Sequence, residues 1–303
     1  MPDVLSEILK LIRLSGTVYF QIGFSTPWGM DMDKGKFAQF HIVAHGKCWA
    51  EAESLENPIL LKTGDVIAFP HGESHSIADS LGSKKISGKA IYDAYLNNKL
   101  PSQNETCDAR LICGHFEFDS KFEHPFLREL PSVIHIKGSK HKHNHLQNII
   151  AIIEEETTSK EFASNIVTDR LAEILFINLL REYIAQNIKN RTPWLALSNH
   201  QIHKALQLIH ENFGTSMTLA GIAREIGMSR SLFAERFREC VGTTPMQYLT
   251  QWRMHQAKHL LKRSESSINS IAQKVGYISE PAFNRAFKRQ FEQTPGKFRK
   301  QIG

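Results

Sequence analysis

The last hundred residues of the chain repeat themselves. IAREIGMSRSLFAERFRECVGTTPMQYL, from Ile222, aligns with IAQKVGYISEPAFNRAFKRQFEQTPGKFR, from Ile271. Ile222 and Ala223 match Ile271 and Ala272, and Gly227 matches Gly276. Phe233, Phe237 and Thr244-Pro245 match Phe283, Phe287 and Thr294-Pro295, with one extra residue in the second turn. Few folds satisfy both copies. Thr218 and Ser267 stand where a short helix wants an N-cap. Gly227 and Gly276 permit the left-handed turn that ends it. Ser229 and Ser279 are placed to cap a second helix, whose inner face is two phenylalanines at i and i+4. Thr-Pro then starts a further helix, with threonine as cap and proline in the first position. Helix, tight turn and helix around an aromatic seam make a helix-turn-helix, whose second helix fits the major groove of DNA. The two units span about 218–239 and 267–290.

The polar faces agree with that reading. Arg230, Ser231, Glu235 and Arg236 lie off the aromatic seam of the first unit. Ser279, Glu280, Asn284, Arg285, Lys288 and Arg289 do so in the second. Arg and Asn are the side chains that pair with guanine and adenine edges, while Lys288 and Arg289, late in their helix, suit phosphate. The charge is distributed accordingly. From His200 onward there are 16 Lys and Arg against 7 Asp and Glu, and over residues 1–199 there are 21 against 24. A basic third on a mildly acidic body points to a polyphosphate partner. The helix PMQYLTQWRMHQAKHLLKR between the copies holds two recognition helices at a fixed separation, suited to groove faces about 34 Å apart. From about His200 to Gln301 these runs resemble the DNA-binding domain of the AraC/XylS family of bacterial transcription regulators. The resemblance implies promoter double-stranded DNA as the ligand and RNA polymerase as a partner.

Upstream the period changes. Between residues 17 and 118, runs such as TVYFQIGF, FAQFHIVAHG, KCWAEAES, DVIAFP, HSIAD and RLICGHFEF alternate or run apolar over four to ten residues, with turn residues between them. That pattern predicts a sandwich or barrel. Within it, Gly64-x5-Pro70-x-Gly72-x2-His75 reads as a hairpin turn, a strand, a return turn and a histidine at the barrel mouth. This stretch resembles the second motif of the cupin fold. The resemblance implies a first motif with HxH and a following Glu, but the corresponding strand, FHIVAHG, offers His41 alone. The metal set of a cupin oxygenase or isomerase is therefore incomplete, which counts against an enzyme. Another set is available. Cys113 and His115 lie two apart on one strand face and can converge with His41 and His75. One thiolate and three imidazoles suit tetrahedral zinc, although all four are also ordinary core residues. Cupin-bearing members of the resembled family also include oxidant sensors acting through cysteines, which would make Cys113 a redox thiol. No resolving cysteine adjoins it in sequence.

The remaining segments set the domain plan. Residues 80–108 are polar and weakly patterned, and read as a long insertion loop. LQNIIAIIEEE and EFASNIVTDRLAEILFINLLREYIAQNI carry helical spacing, with Phe162, Ile166, Leu171, Ile174, Leu175 and Leu179 forming one stripe. This hairpin either packs on the barrel or forms a dimer interface. KNRTPWLALSNH reads as a linker, and HIKGSKHKHNH, with His141, His143 and His145 beside Lys137, Lys140 and Lys142, reads as a solvated connection. Four cysteines without a CxxC pair, no signal-peptide pattern and no apolar run of 18 residues predict a cytoplasmic protein without membrane spans. The architecture expected is α+β: a cupin-like sensor barrel at 1–140, a helical hairpin at 141–190, a linker at 191–200 and an all-α double helix-turn-helix domain at 201–303. The expected function is a homodimeric, sequence-specific DNA-binding transcription regulator whose barrel senses a small molecule, metal or oxidant. The alternative is a cupin metal-dependent enzyme fused to a DNA-binding domain.

Overall fold

The computed structural model describes residues 5–6, 8–9, 14–97, 99, 107–118, 125–128, 130–138, 145–159, 161–187 and 199–301. His141, His143 and residues 191–198 of the expected linker lie outside these. The fold is α+β, with two compact units, one built on residues 14–118 and 130–187 and the other on 199–301.

The first unit is a curled, nine-stranded sheet. Its strands are β1 (Ser15–Phe24), β2 (Gly29–Met32), β3 (Ala38–Ala52), β4 (Ile59–Lys62), β5 (Val66–Phe69), β6 (His75–Ala78), β7 (Ile86–Ser87), β8 (Ala109–Glu117) and β9 (Ile134–Ile136). The main path runs β1-β8-β3-β6-β2-β7, with β4 and β5 also paired to β3, and β9 to β5. The 15-residue β3 causes the curl. Its first half pairs with β8 and β5, its second half with β4 and β6. The change falls at a register break between Val43 and His45, beside Gly46 at φ +82°. A bulge there re-aims the strand, and a side chain at Gly46 would collide with the Asp108 carbonyl. Phe20, Met30, Val43, Ile67, Phe69, Ile77 and Leu111 fill the enclosed face.

The turns expected around GDVIAFPHG are present. Gly64 and Gly72 both have positive φ, at 86° and 62°. A Cβ on Gly72 would strike the carbonyls of Gly35 and Phe37, so the chain must carry glycine there. Buried Asp65 accepts from the Gly138 amide at 2.8 Å and faces His135 Nε2 at 3.0 Å, tying β9 to the hairpin.

The insertion at 80–108 is not a plain loop. It contains β7 and a helix, α1 (Gly88–Leu96), which lays Ile91, Tyr92 and Tyr95 against the barrel core. Ser87 makes no capping hydrogen bond and the first turn has no acid, so the local start signals are missing. Tertiary burial makes this helix, as it does for most short helices. Helices α2 (His145–Thr158) and α3 (Ser164–Asn187) form the hairpin. Ala172, Leu175, Phe176, Leu179 and Leu180 of α3 are buried, each large one worth about 1.5–3 kcal/mol. Gly16 of β1 lets α3 approach, since a Cβ there would overlap Ala172. Thr157 donates its hydroxyl proton to the Gln21 side chain, closing α2 onto β1. The hairpin and the barrel thus share one unit.

The second unit is all α: α4 (His200–Asn212), α5 (Leu219–Glu225), α6 (Arg230–Val241), α7 (Pro245–Arg263), α8 (Ile268–Lys274), α9 (Glu280–Phe291) and α10 (Pro295–Lys300). The cap chemistry follows the repeat. Thr218, Ser229 and Ser267 accept from Gly221, Leu232 and Ser270 amides at 3.0, 3.3 and 3.1 Å. Thr244 forms a capping box with Gln247, and Thr294 accepts from the Lys297 amide at 3.3 Å. Ser279 differs: it holds the N-cap position of α9 without a side-chain cap bond. Glu280 and Pro281 follow it, and the proline removes the amide of the N2 position, one of the donors such a cap would serve.

Candidate nucleic-acid interface and barrel site

Each helix-turn-helix is locked by its phenylalanines. Phe233 and Phe237 are fully buried with ring centroids 5.6 Å apart, and Phe283 and Phe287 repeat this at 5.7 Å. Gly227 and Gly276 make the tight turns at φ +69° and +81°. With the seam inside, the opposite faces must point to solvent. On α6, Arg230, Ser231, Glu235 and Arg236 are exposed, and Arg236 pairs with Glu239 at 3.5 Å. In the second unit, Ser279, Arg285, Lys288 and Arg289 are exposed, while Glu280 and Asn284 are half-buried. The Asn284 Oδ1 is buried without a hydrogen-bond partner, an acceptor left unused.

Two apolar side chains on these faces escaped the sequence reading. Leu232 on α6 is 43 % exposed, and Ile278, in the second turn, is fully exposed. Apolar contacts of this kind fit the thymine methyl group.

The spacing helix α7 is fastened to both copies. Arg253 donates from Nε to the Phe213 carbonyl and from Nη2 to the Thr215 carbonyl, both at 2.7 Å, just before α5. Its guanidinium also lies 5.8 Å from the Tyr277 ring centroid in the second turn. A Cβ on Gly276 would clash with this guanidinium.

In the barrel, three of the four expected residues come together. Cys113 and His41 are cross-strand partners on β8 and β3, with Cys113 Sγ 3.0 Å from His41 Nδ1. His41 Nε2 is 2.7 Å from His75 Nε2, and His75 Nδ1 is 2.9 Å from the Glu73 carbonyl. The carbonyl can only accept, so His75 carries its proton on Nδ1. Neutral His75 then accepts at Nε2, His41 donates from Nε2, and the Cys113 thiol donates to His41 Nδ1. Every member is neutral, and burial keeps it so. Desolvation holds His41 well below the usual imidazole range and brings His75 down to about 4. Burial, then nearby Cys48, pushes the Cys113 thiol far up.

His115 does not join them. It faces Gln39, two residues along β3 from His41. Its ring lies between Tyr19 and Phe37, with centroids 5.0 and 4.6 Å away. Aromatic packing thus withholds the fourth ligand, and the residues do not fit tetrahedral zinc. Among the described residues no group of three or more His, Cys, Asp or Glu side chains is arranged to hold a metal ion.

A cupin family profile matches residues 3–185, and a helix-turn-helix domain profile matches residues 222–301. A relative named HTH-type transcriptional regulator AlkR, from Acinetobacter baylyi, is 33 % identical over 99 % of both chains. This chain belongs to the AraC-type transcription regulators, in the group with a cupin amino-terminal domain. A Streptomyces lividans relative of the regulator, named as a putative AraC-like transcription regulator, is 28 % identical over 98 % of each chain. The Escherichia coli relative, 26 % identical over 99 % of this chain and 98 % of its own, is named the RCS-specific HTH-type transcriptional activator RclR. These full-length relatives are named as regulators rather than enzymes. No helix among the described residues is long and apolar enough to cross a membrane.

The regulator's barrel also has a cavity of about 260 Å³ that the sequence reading did not locate. Tyr19, Phe20, Asp31, Asp33, Gln39 and Tyr92 are among its lining, and none of His41, His75, Cys113 or His115 is. Its wall draws on β1, β2, β3 and α1, so no single motif could announce it.

Proposed function

We propose that this AraC-type regulator binds promoter DNA with α6 and α9 in successive major grooves and adjusts that binding when its barrel takes up a small effector. The observation that supports DNA reading is the pair of capped, phenylalanine-locked units with Arg, Asn and Lys on their outer faces. Arg285, exposed on α9, is the base-reading residue in this proposal. Arg285→Ala should weaken promoter binding by about 1–3 kcal/mol and relax specificity at one base pair. A gel shift at fixed salt showing unchanged affinity removes Arg285 from that role.

The protein acts where its promoter is, in the cytoplasm, with RNA polymerase as the downstream partner. It acts as a homodimer through the outer face of the α2–α3 hairpin, where Phe162, Ile166 and Ile174 are exposed. The effector enters the barrel cavity, beside the buried thiol–imidazole chain. His75→Ala, which strands the His41 Nε2–H, should leave DNA binding intact and abolish the effector response in a promoter reporter. A normal response excludes His75 from signalling.

An oxidant is the second reading, favoured by one observation: the Cys113 thiol is in hydrogen-bond contact with an imidazole base, His41 Nδ1, at 3.0 Å. Its burial and raised pKa oppose it, because the thiolate is the reactive form. Mass spectrometry after mild oxidation decides the matter; unmodified Cys113 in protein that has lost or gained promoter activity rejects it.

A further inference from the structure

We propose that the barrel cavity recognises a small organic ammonium ion, an alkyl- or arylalkylamine in its protonated form. This rests on the reading of the barrel as an effector domain and names the class of effector. The cavity's wall is aromatic on one side: Tyr19, Phe20 and Tyr92 face one another, with centroids 5.3 Å (Tyr19–Tyr92) and 6.3 Å (Phe20–Tyr92) apart. Such faces attract a cation and accept an apolar body. Tyr19 is held protonated, its pKa pushed up to about 12 by burial, so its ring stays neutral.

The charged part of the lining is net negative. Asp31 and Asp33 both line the cavity, and neither has an ion-pair partner among the described residues. Among the described lining residues Lys89 is the cation, and the two carboxylates outnumber it. An anionic ligand meets repulsion here. A purely apolar ligand would leave a second group unanswered: the Gln39 Oε1 is buried and has no hydrogen-bond partner. That oxygen asks for an N–H or O–H donor. A protonated amine supplies both a donor for Gln39 and a charge for the carboxylates. A metal ion is disfavoured, because no three ligating side chains converge among the described residues. The size is modest, several times the roughly 30 Å³ share of one water.

The test uses the full-length protein in isothermal titration calorimetry. The probes are ethylammonium, hexylammonium and 2-phenylethylammonium, with 2-phenylethanol as a donor without charge and phenylacetate as the opposite charge. At least one ammonium probe should bind, 2-phenylethylammonium should bind at least tenfold tighter than the alcohol, and phenylacetate should give no heat. Asp33→Asn, at an exposed position, and Tyr92→Leu should each weaken the ammonium by about tenfold. The inference is overturned if none of the three ammonium probes binds, if the alcohol or phenylacetate matches the amine, or if Asp33→Asn and Tyr92→Leu both leave the affinity unchanged. A gel shift with the bound probe separates the two ideas. Tight ammonium binding with unaltered DNA affinity upholds this ligand class and removes the sensor role.

Discussion

A second proton on His75 has no acceptor. Its Nδ1–H already points at the Glu73 carbonyl, and its Nε2 receives the proton of His41. Burial, the larger cause, lowers its pKa to about 4 from an ordinary 6.5, while the Glu73 hydrogen bond opposes the shift. Between those values the unfolded chain binds a proton that the folded chain refuses. Stability therefore falls as pH drops through 6.5 towards 4, by about 2 kcal/mol at pH 5 for this one group. Urea titrations at pH 7 and pH 5 should show that loss, and His75→Asn should remove about that much of the difference. An equal loss in the variant would mean that His75 titrates normally in the fold. His41, His75 and Cys113 were legible as a cluster because strand alternation and the cupin turn aim them inward. The exclusion of His115 was not. It depends on two rings, Tyr19 and Phe37, that reach it from β1 and from the residue preceding β3, and no local pattern records a stacking partner.

At the scale of elements, α1 and α7 make opposite points. The helix within 80–108 left no cap or periodic signature, so its sequence read as loop until the barrel supplied a surface for Ile91 and Tyr92. Helix α7 was plain from the repeat and from its Thr-Pro start, yet its attachment to both units was hidden in a single side chain. Arg253 satisfies two carbonyls before the first helix-turn-helix and lies against Tyr277 of the second. Two recognition helices held rigidly gain from each other's binding, and loosening their link lowers the effective concentration of the second. Arg253→Ala should therefore cost on the order of tenfold in affinity for the intact promoter. Affinity for a promoter with one half-site scrambled should change much less. Equal losses on both DNAs in a gel shift would assign Arg253 to stability alone. The hairpin has its own test. Ile166 is 64 % exposed on α3, with exposed Ile174 two turns on. Ile166→Asp should give a monomer in sedimentation with an unchanged melting temperature, and a surviving dimer would place the interface elsewhere.

Across the whole molecule, charge divides the work. The 16 cationic and 7 anionic side chains from His200 onward give the DNA-binding part a surplus that the rest of the chain lacks. Phosphate contact releases condensed counterions, so the affinity of this protein for DNA should fall linearly with the logarithm of salt concentration, by about 0.9 per phosphate neutralised. The contributions of single residues separate on that plot. Lys288 is exposed in the last turn of α9, away from the N-terminal residues that reach base edges in the proposed docking. Lys288→Ala should weaken specific and non-specific DNA alike and reduce the slope by about one. Arg285→Ala should instead lower the preference for promoter over random DNA. Promoter and random duplexes titrated across 50–300 mM potassium chloride, a span of about sixfold, would resolve a unit change in slope. If Lys288→Ala leaves the slope unaltered on both duplexes, the lysine is a solvated surface charge, and the phosphate footprint has to be sought among Arg289 and the cations of α10.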